Sequence, residues 1–292
     1  MKSLFVCNTG SDSISKINIK DFSVENLVLK IGEKPIGPQG ICLNENLMYT
    51  ANNYNNSISI IEKETLIEMD NFYIGPYPND LVYYHNRLYI ACGDANAIIV
   101  YDLIEKKIVF KLPTGLWPHN IELAKSKGLI LVSNLQGNNV SIIDANINKE
   151  IVNIKTLEYP TQIRISKDEN KFYVCESYIG DTKCGYIEVF SLEDFKSLKR
   201  IKVGKSPMDI WDDGKLIYIS NFNDGSISVV DVSLGMEIDN IIVGGMPKGI
   251  LKYGNNLLVG DYLRSKVIVL NLDNKLTKAI AVGVEPNAMA LC

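Results

Sequence analysis

The stretch "GPYPNDL" at Gly75–Leu81 decides the reading of this chain, because near-copies of it return along the whole sequence. They are "GLWPHNI" at Gly115–Ile121, "LEYPTQI" at Leu157–Ile163, "GKSPMDI" at Gly204–Ile210, "GGMPKGI" at Gly244–Ile250 and "GVEPNAM" at Gly283–Met289. A looser first copy, "PIGPQGI", spans Pro35–Ile41. The anchor prolines are Pro38, Pro78, Pro118, Pro160, Pro207, Pro247 and Pro286, spaced by 40, 40, 42, 47, 40 and 39 residues. Self-similarity near this period is the signature of a repeat architecture, so it governs the reading of every shorter motif.

Each repeat carries four runs. An apolar run follows the proline, and a β-branched and aromatic run then closes on a small residue and usually Asn or an acid: "LFVCN", "MYTAN", "LYIAC", "ILVSN", "FYVCE", "IYISN", "LLVGD". An alternating run such as "SISIIE" or "SISVVD" comes next, and a fourth returns to the next proline. Four short strands joined by polar turns, with no helical period, describe one blade of a β-propeller. The chain starts on a second-strand motif and stops just after a first-strand motif, "PNAMALC". The expected fold is therefore all-β: a seven-bladed β-propeller with four-stranded blades. One domain spans 1–292, and blade seven is formed by 284–292 joined to 1–31. Closing the ring in this way removes the exposed strand edges of an open array.

The motifs "lYVxN", "sIsiiD" and "ixVGxxP" resemble those of the YVTN-repeat, YncE-like bacterial propellers over essentially the whole chain. Cys92, Glu176 and Asp261 depart from the Asn found at positions 8, 52, 134 and 221. The resemblance implies a seven-bladed toroid and fixes no activity, since such scaffolds host many. The repeated Asn side chains are expected to cap turns, because a residue used in most blades serves the fold.

Composition narrows the partners. A net charge of −4 with interspersed signs leaves no basic footprint for nucleic acid, and no apolar run is long enough to span a membrane. No export signal precedes the first strand, so a cytoplasmic monomer with six reduced cysteines is expected; the alternative is a disulfide or metal role for Cys175 and Cys184, which flank one loop. No GxSxG, HExxH, P-loop or GxGxxG element is present in its required context.

Candidate chemistry gathers where the proline loops converge. Tyr77, Trp117 and Tyr159 precede the prolines of three neighbouring blades, and the loops between second and third strands add Tyr54, Tyr178, Phe222 and Tyr262. The enlarged loop Glu176–Tyr186 and the long loop Gly32–Pro38 are expected on this same face. Asn120, Gln162 and Lys248, just after their prolines, complete the candidate ligand contacts, although which post-proline position faces the channel is left open. His119 is the better placed of two histidines and could serve as general acid or base, oriented by Asp80 or Asp209. Asp80, Asn120, Gln162 and Asp209 carry oxygens that suit calcium or magnesium, but water-filled channel lining is the favoured reading, with no cofactor. The expected function is recognition of a small molecule or protein segment at the channel mouth. The alternative is a lactonase-like hydrolase or lyase using His119 with Asp80 or Asp209.

Overall fold

The computed structural model describes residues 2–30 and 32–292; Met1 and Ile31, assigned by sequence to the ends of blade seven's N-terminal part, lie outside them. The described strands form seven separate four-stranded antiparallel sheets arranged in a ring. We number the blades from the one that begins at Pro38. In blades one to six the four strands follow one another in sequence. The seventh sheet takes the C-terminal strand Pro286–Leu291 as its innermost member, beside Ser3–Asn8. That closure is hydrogen-bonded at its far end, where the Ser3 and Cys292 backbones each donate to the other at 3.0 Å.

The period-2 alternation seen in sequence becomes blade-on-blade packing. Tyr49, Ala51 and Ile58 of blade one meet Leu88, Ile90 and Ile99 of blade two in one apolar layer. Equivalent layers continue round the ring, and Phe5 and Ile14 of blade seven pack with Met48 and Ile61 of blade one. Each such buried side chain contributes about 1.5–3 kcal/mol, so a missing sheet would expose two layers at once.

The second-strand asparagines are structural in a way different from turn capping. Asn52 and Asn221 are fully buried, and each amide nitrogen donates to two serines on the third strand of its own blade: Ser57 and Ser59, Ser226 and Ser228. They cross-link two strands instead of closing a turn. Blade four replaces this neutral ladder with Glu176, Glu188 and Arg200, whose guanidinium lies 3.3 Å from the first carboxylate and 2.8 Å from the second. Burial and the adjacent Glu188 push the Glu176 carboxyl up. All six cysteines are free thiols, so Cys175 and Cys184 do not form a disulfide.

Candidate functional site

The inner strands Pro38–Asn44, Pro78–Tyr84, Pro118–Ala124, Pro160–Ile165, Pro207–Asp212, Pro247–Tyr253 and Pro286–Leu291 surround an axial cavity of about 380 Å³. Each strand begins with a register irregularity just after its proline, as between Pro78 and Asp80 or Pro207 and Asp209. A bulge of this kind re-aims side chains that would otherwise alternate. Both post-proline positions therefore reach the cavity: Gln39, Asn79, His119, Thr161, Met208, Lys248 and Asn287 one step on, and Asp80, Asn120, Gln162 and Asp209 two steps on. The alternation that leaves the choice open in sequence is broken at that point in every blade.

In six of the seven blades the residue before the proline is held in a left-handed conformation, Met246 being the exception. Tyr77, Trp117 and Tyr159 have φ of 56°, 57° and 54°, a conformation costing roughly 1–2 kcal/mol for an L-residue. Two backbone bonds hold each one in place. The Tyr77 N–H donates to Asn56 Oδ1 at 2.8 Å and its carbonyl accepts from Gly93 N at 2.8 Å. Trp117 and Tyr159 are held identically by Asn96 and Asn138. Their rings pack over the blade tops: Tyr77 meets Trp117 at 5.1 Å between centroids, and Phe222 meets Tyr262 at 5.8 Å. Tyr178 lies beside Tyr186, with Lys183 over its ring. None of these six candidate rings (Tyr77, Trp117, Tyr159, Tyr178, Phe222, Tyr262) lines the cavity itself, whereas Ile179 of the enlarged loop does.

The second ring of side chains staples adjacent blades. Asp80 Oδ2 accepts from Asn120 Nδ2 at 2.7 Å and from Ile121 N at 3.3 Å, while its Oδ1 accepts from Leu81 N at 2.9 Å. Asn120 Oδ1 accepts from Ile163 N at 2.8 Å, and Asp209 Oδ2 from Ile250 N at 2.9 Å. Where no staple stands, glycine lets the strands approach: a Cβ on Gly40 would lie 2.6 Å from the Asp80 Cα, and one on Gly249 2.7 Å from the Asn287 carbonyl. Burial pushes the Asp80 carboxyl up to about 7, against the pull of its backbone donors.

Sequence reasoning does not pick out the cluster at the next level. Arg164 contacts Glu122 at 2.8 Å and Asp209 at 3.5 Å, and its Nε donates to the Ile210 carbonyl at 2.9 Å. Burial opposes the guanidinium's charge, and Glu122, Asp209 and Asp80 more than offset it. Burial also raises the Glu122 and Asp209 carboxyls, with Arg164 pulling the other way. The signal available in sequence was a charge inside each of two apolar strands, "IEL" and "IRI".

His119 stands one step after Pro118, and its Nδ1 lies 2.8 Å from the Thr161 carbonyl. A carbonyl only accepts, so Nδ1 carries the proton and Nε2 is left as a bare acceptor. Burial and, to a smaller extent, the charge of Lys248 lower its pKa to about 4 against the pull of the Thr161 hydrogen bond. The partner that orients His119 is thus a backbone carbonyl; the carboxylates of Asp80 and Asp209 are occupied with backbone N–H groups instead. Lys248 is itself lowered to about 8 by burial, with Glu285 opposing, and its Nζ lies 4.9 Å from the Tyr262 ring centre. Asp80, Asn120 and Asp209, the sequence's candidates for a hard cation, are tied blade to blade, and among the described residues no group of three or more His, Cys, Asp or Glu side chains is placed to hold a metal.

Comparison with known proteins defines the scaffold and no more. No known family profile matches the chain. A curated relative, antigen Lp49 of Leptospira interrogans, is 22% identical over 254 residues, covering 65% of this chain and 55% of its own. The chain therefore spans about half the length of that relative. Among solved structures, a protein of unknown function from Desulfotomaculum acetoxidans superposes with a TM-score of 0.79 at 14% identity, over 99% of this chain and 98% of that one. The periplasmic gluconolactonase of Pseudomonas aeruginosa gives 0.77 at 12% identity, over 99% and 98%. Hydrazine synthase of Kuenenia stuttgartiensis gives 0.73 at 17%, over 88% and 80%. At these identities the likeness is one of fold.

Proposed function

We propose that this propeller is a binding protein that takes a small polar molecule into its axial cavity through the face bearing the proline loops. The observation that carries the reading is the way the candidate catalytic groups are used. Asp80 and Asp209 accept backbone N–H groups of the next blade, and His119 is tied to a carbonyl. A general base that loses its proton near pH 4 is poorly matched to chemistry at neutral pH. A cavity of about 380 Å³ lies in the size range of small-molecule sites, and its polar groups are held rigidly by inner strands. The repeat motif supports assigning the chain to the YVTN-type propellers.

A second reading, a lactonase-like hydrolase, rests on the bare Nε2 of His119 facing the cavity and on the gluconolactonase among the fold neighbours. One experiment separates the two. Calorimetry with a panel of small polar metabolites should find binding without turnover, and Ala288→Phe, which fills the cavity from its lining, should abolish it while the protein stays folded. Lactone hydrolysis that disappears in His119→Asn would establish the enzyme instead.

A further inference from the structure

We infer that the ligand of the axial cavity is a small anion, carrying a carboxylate or phosphate group that pairs with Lys248 Nζ and a hydroxyl or N–H that donates to His119 Nε2. This rests on the cavity-binding reading and narrows it to a chemical class.

The uppermost ring of cavity residues divides into two arcs. In one, each amide bonds another amide, the neighbouring backbone or a threonine hydroxyl. Gln39 donates to Asn79 at 3.3 Å, Asn79 donates to the Pro118 carbonyl at 2.9 Å, and Asn287 donates to Thr9 at 3.2 Å. In the other arc, across blades three to six, three cavity-lining side chains carry a polar end with no hydrogen-bond partner among the described residues. These are the Lys248 ammonium, His119 Nε2 and, one step deeper, the Gln162 amide.

Lys248 is the decisive member. Among the described residues it makes no ion pair; its ammonium rests against the Tyr262 ring, and the charge of Glu285 acts on both Lys248 and Tyr262. A partly buried cation beside a cavity without an ion-pair partner is costly, and an anion entering there repays that cost with a charge-assisted hydrogen bond. The floor fixes the ligand's direction. Asp80, Glu122 and Asp209 lie below, and the one guanidinium among them is already shared by Glu122 and Asp209. A negative group is repelled from the floor and held at the mouth, with its uncharged remainder pointing inward. His119 then selects a donor: a bare Nε2 accepts a hydroxyl or N–H and cannot satisfy a second anionic oxygen.

The test is calorimetric titration of the intact chain with inorganic phosphate, the hydroxy-carboxylate glycolate and the neutral polyol xylitol, repeated on Lys248→Met and Lys248→Arg. We expect phosphate or glycolate to bind, Lys248→Met to weaken it by about tenfold or more, and Lys248→Arg to stay within about threefold. Whichever of the two binds more tightly distinguishes phosphate from carboxylate as the recognised group. Equal anion affinity in wild type and a Lys248→Met protein with an unchanged melting temperature would overturn the inference. Xylitol binding without anion binding would overturn it too, while leaving the cavity reading intact. If nothing binds, both readings fall.

Discussion

The two arcs of the channel mouth are built from the same repeat and differ in what their side chains do. Around blades seven, one and two, the residue after the proline is an amide, and each amide is spent on a neighbour. Around blades three to six the same position holds His119, Thr161, Met208 and Lys248, and only His119 Nδ1 and Thr161 Oγ1 are tied across to the next blade. The first arc holds the ring together, and the second leaves chemistry pointing at the cavity. A repeat satisfies its backbone in every copy, so function shows where the copies stop satisfying their side chains.

The largest effect should come from breaking the ring on which both arcs depend. Removing 286–292 strips the inner strand from blade seven, together with the Ser3–Cys292 bonds and the Asn287–Thr9 contact. We expect the cooperative thermal transition to disappear; a truncated chain that melts as the full one does would show that closure is dispensable.

Truncations within the intact ring sharpen the contrast. Asp80→Ala leaves Leu81 N, Ile121 N and the Asn120 amide without their acceptor and should cost about 3 kcal/mol in urea denaturation. Asn79→Ala, in the tied arc, should cost about 1–2 kcal/mol. Gln162→Ala and Met208→Ala, in the free arc, should stay within about 0.5 kcal/mol. Equal losses on both arcs would erase the distinction.

The smallest effects are in pH dependence. Asp80 titrates near 7 in the folded protein, above its value in an unfolded chain. The native state therefore keeps this proton longer, so the contribution of Asp80 to stability is complete below about pH 4 and is lost as pH climbs towards 7. Asp80→Asn should remove that part of the slope. Anion affinity should fall as pH rises through about 8, where Lys248 loses its charge. Of the groups facing Lys248, Tyr262 is pushed up to about 12 and His119 down to about 4, so neither changes charge in that window.

Much of the fold was legible in seven prolines, because the 40-residue beat and the strand alternation are local properties of the chain. The convergence of the proline loops at one mouth followed from closure. The cavity wall was harder to read, since the bulge after each proline cancels the alternation used to tell inside from outside. The pairings that separate spent from unspent groups were out of reach: Asn120 reaches Asp80 across 40 residues and His119 reaches Thr161 across 42. Such contacts belong to neighbouring blades, and nothing in either local segment encodes them. The placement of the aromatic residues was hidden for a related reason: Tyr77 and Trp117 come from neighbouring blades, and their rings meet each other outside the cavity lining.

The most direct measurement is a crystal structure of the protein grown with arsenate, a phosphate mimic whose arsenic scatters anomalously. We expect one strong anomalous peak in the axial cavity, within hydrogen-bond reach of Lys248 Nζ on the side of His119. A cavity without that peak, or a peak against Gln39 and Asn79, would contradict the assignment of the free arc as the binding side.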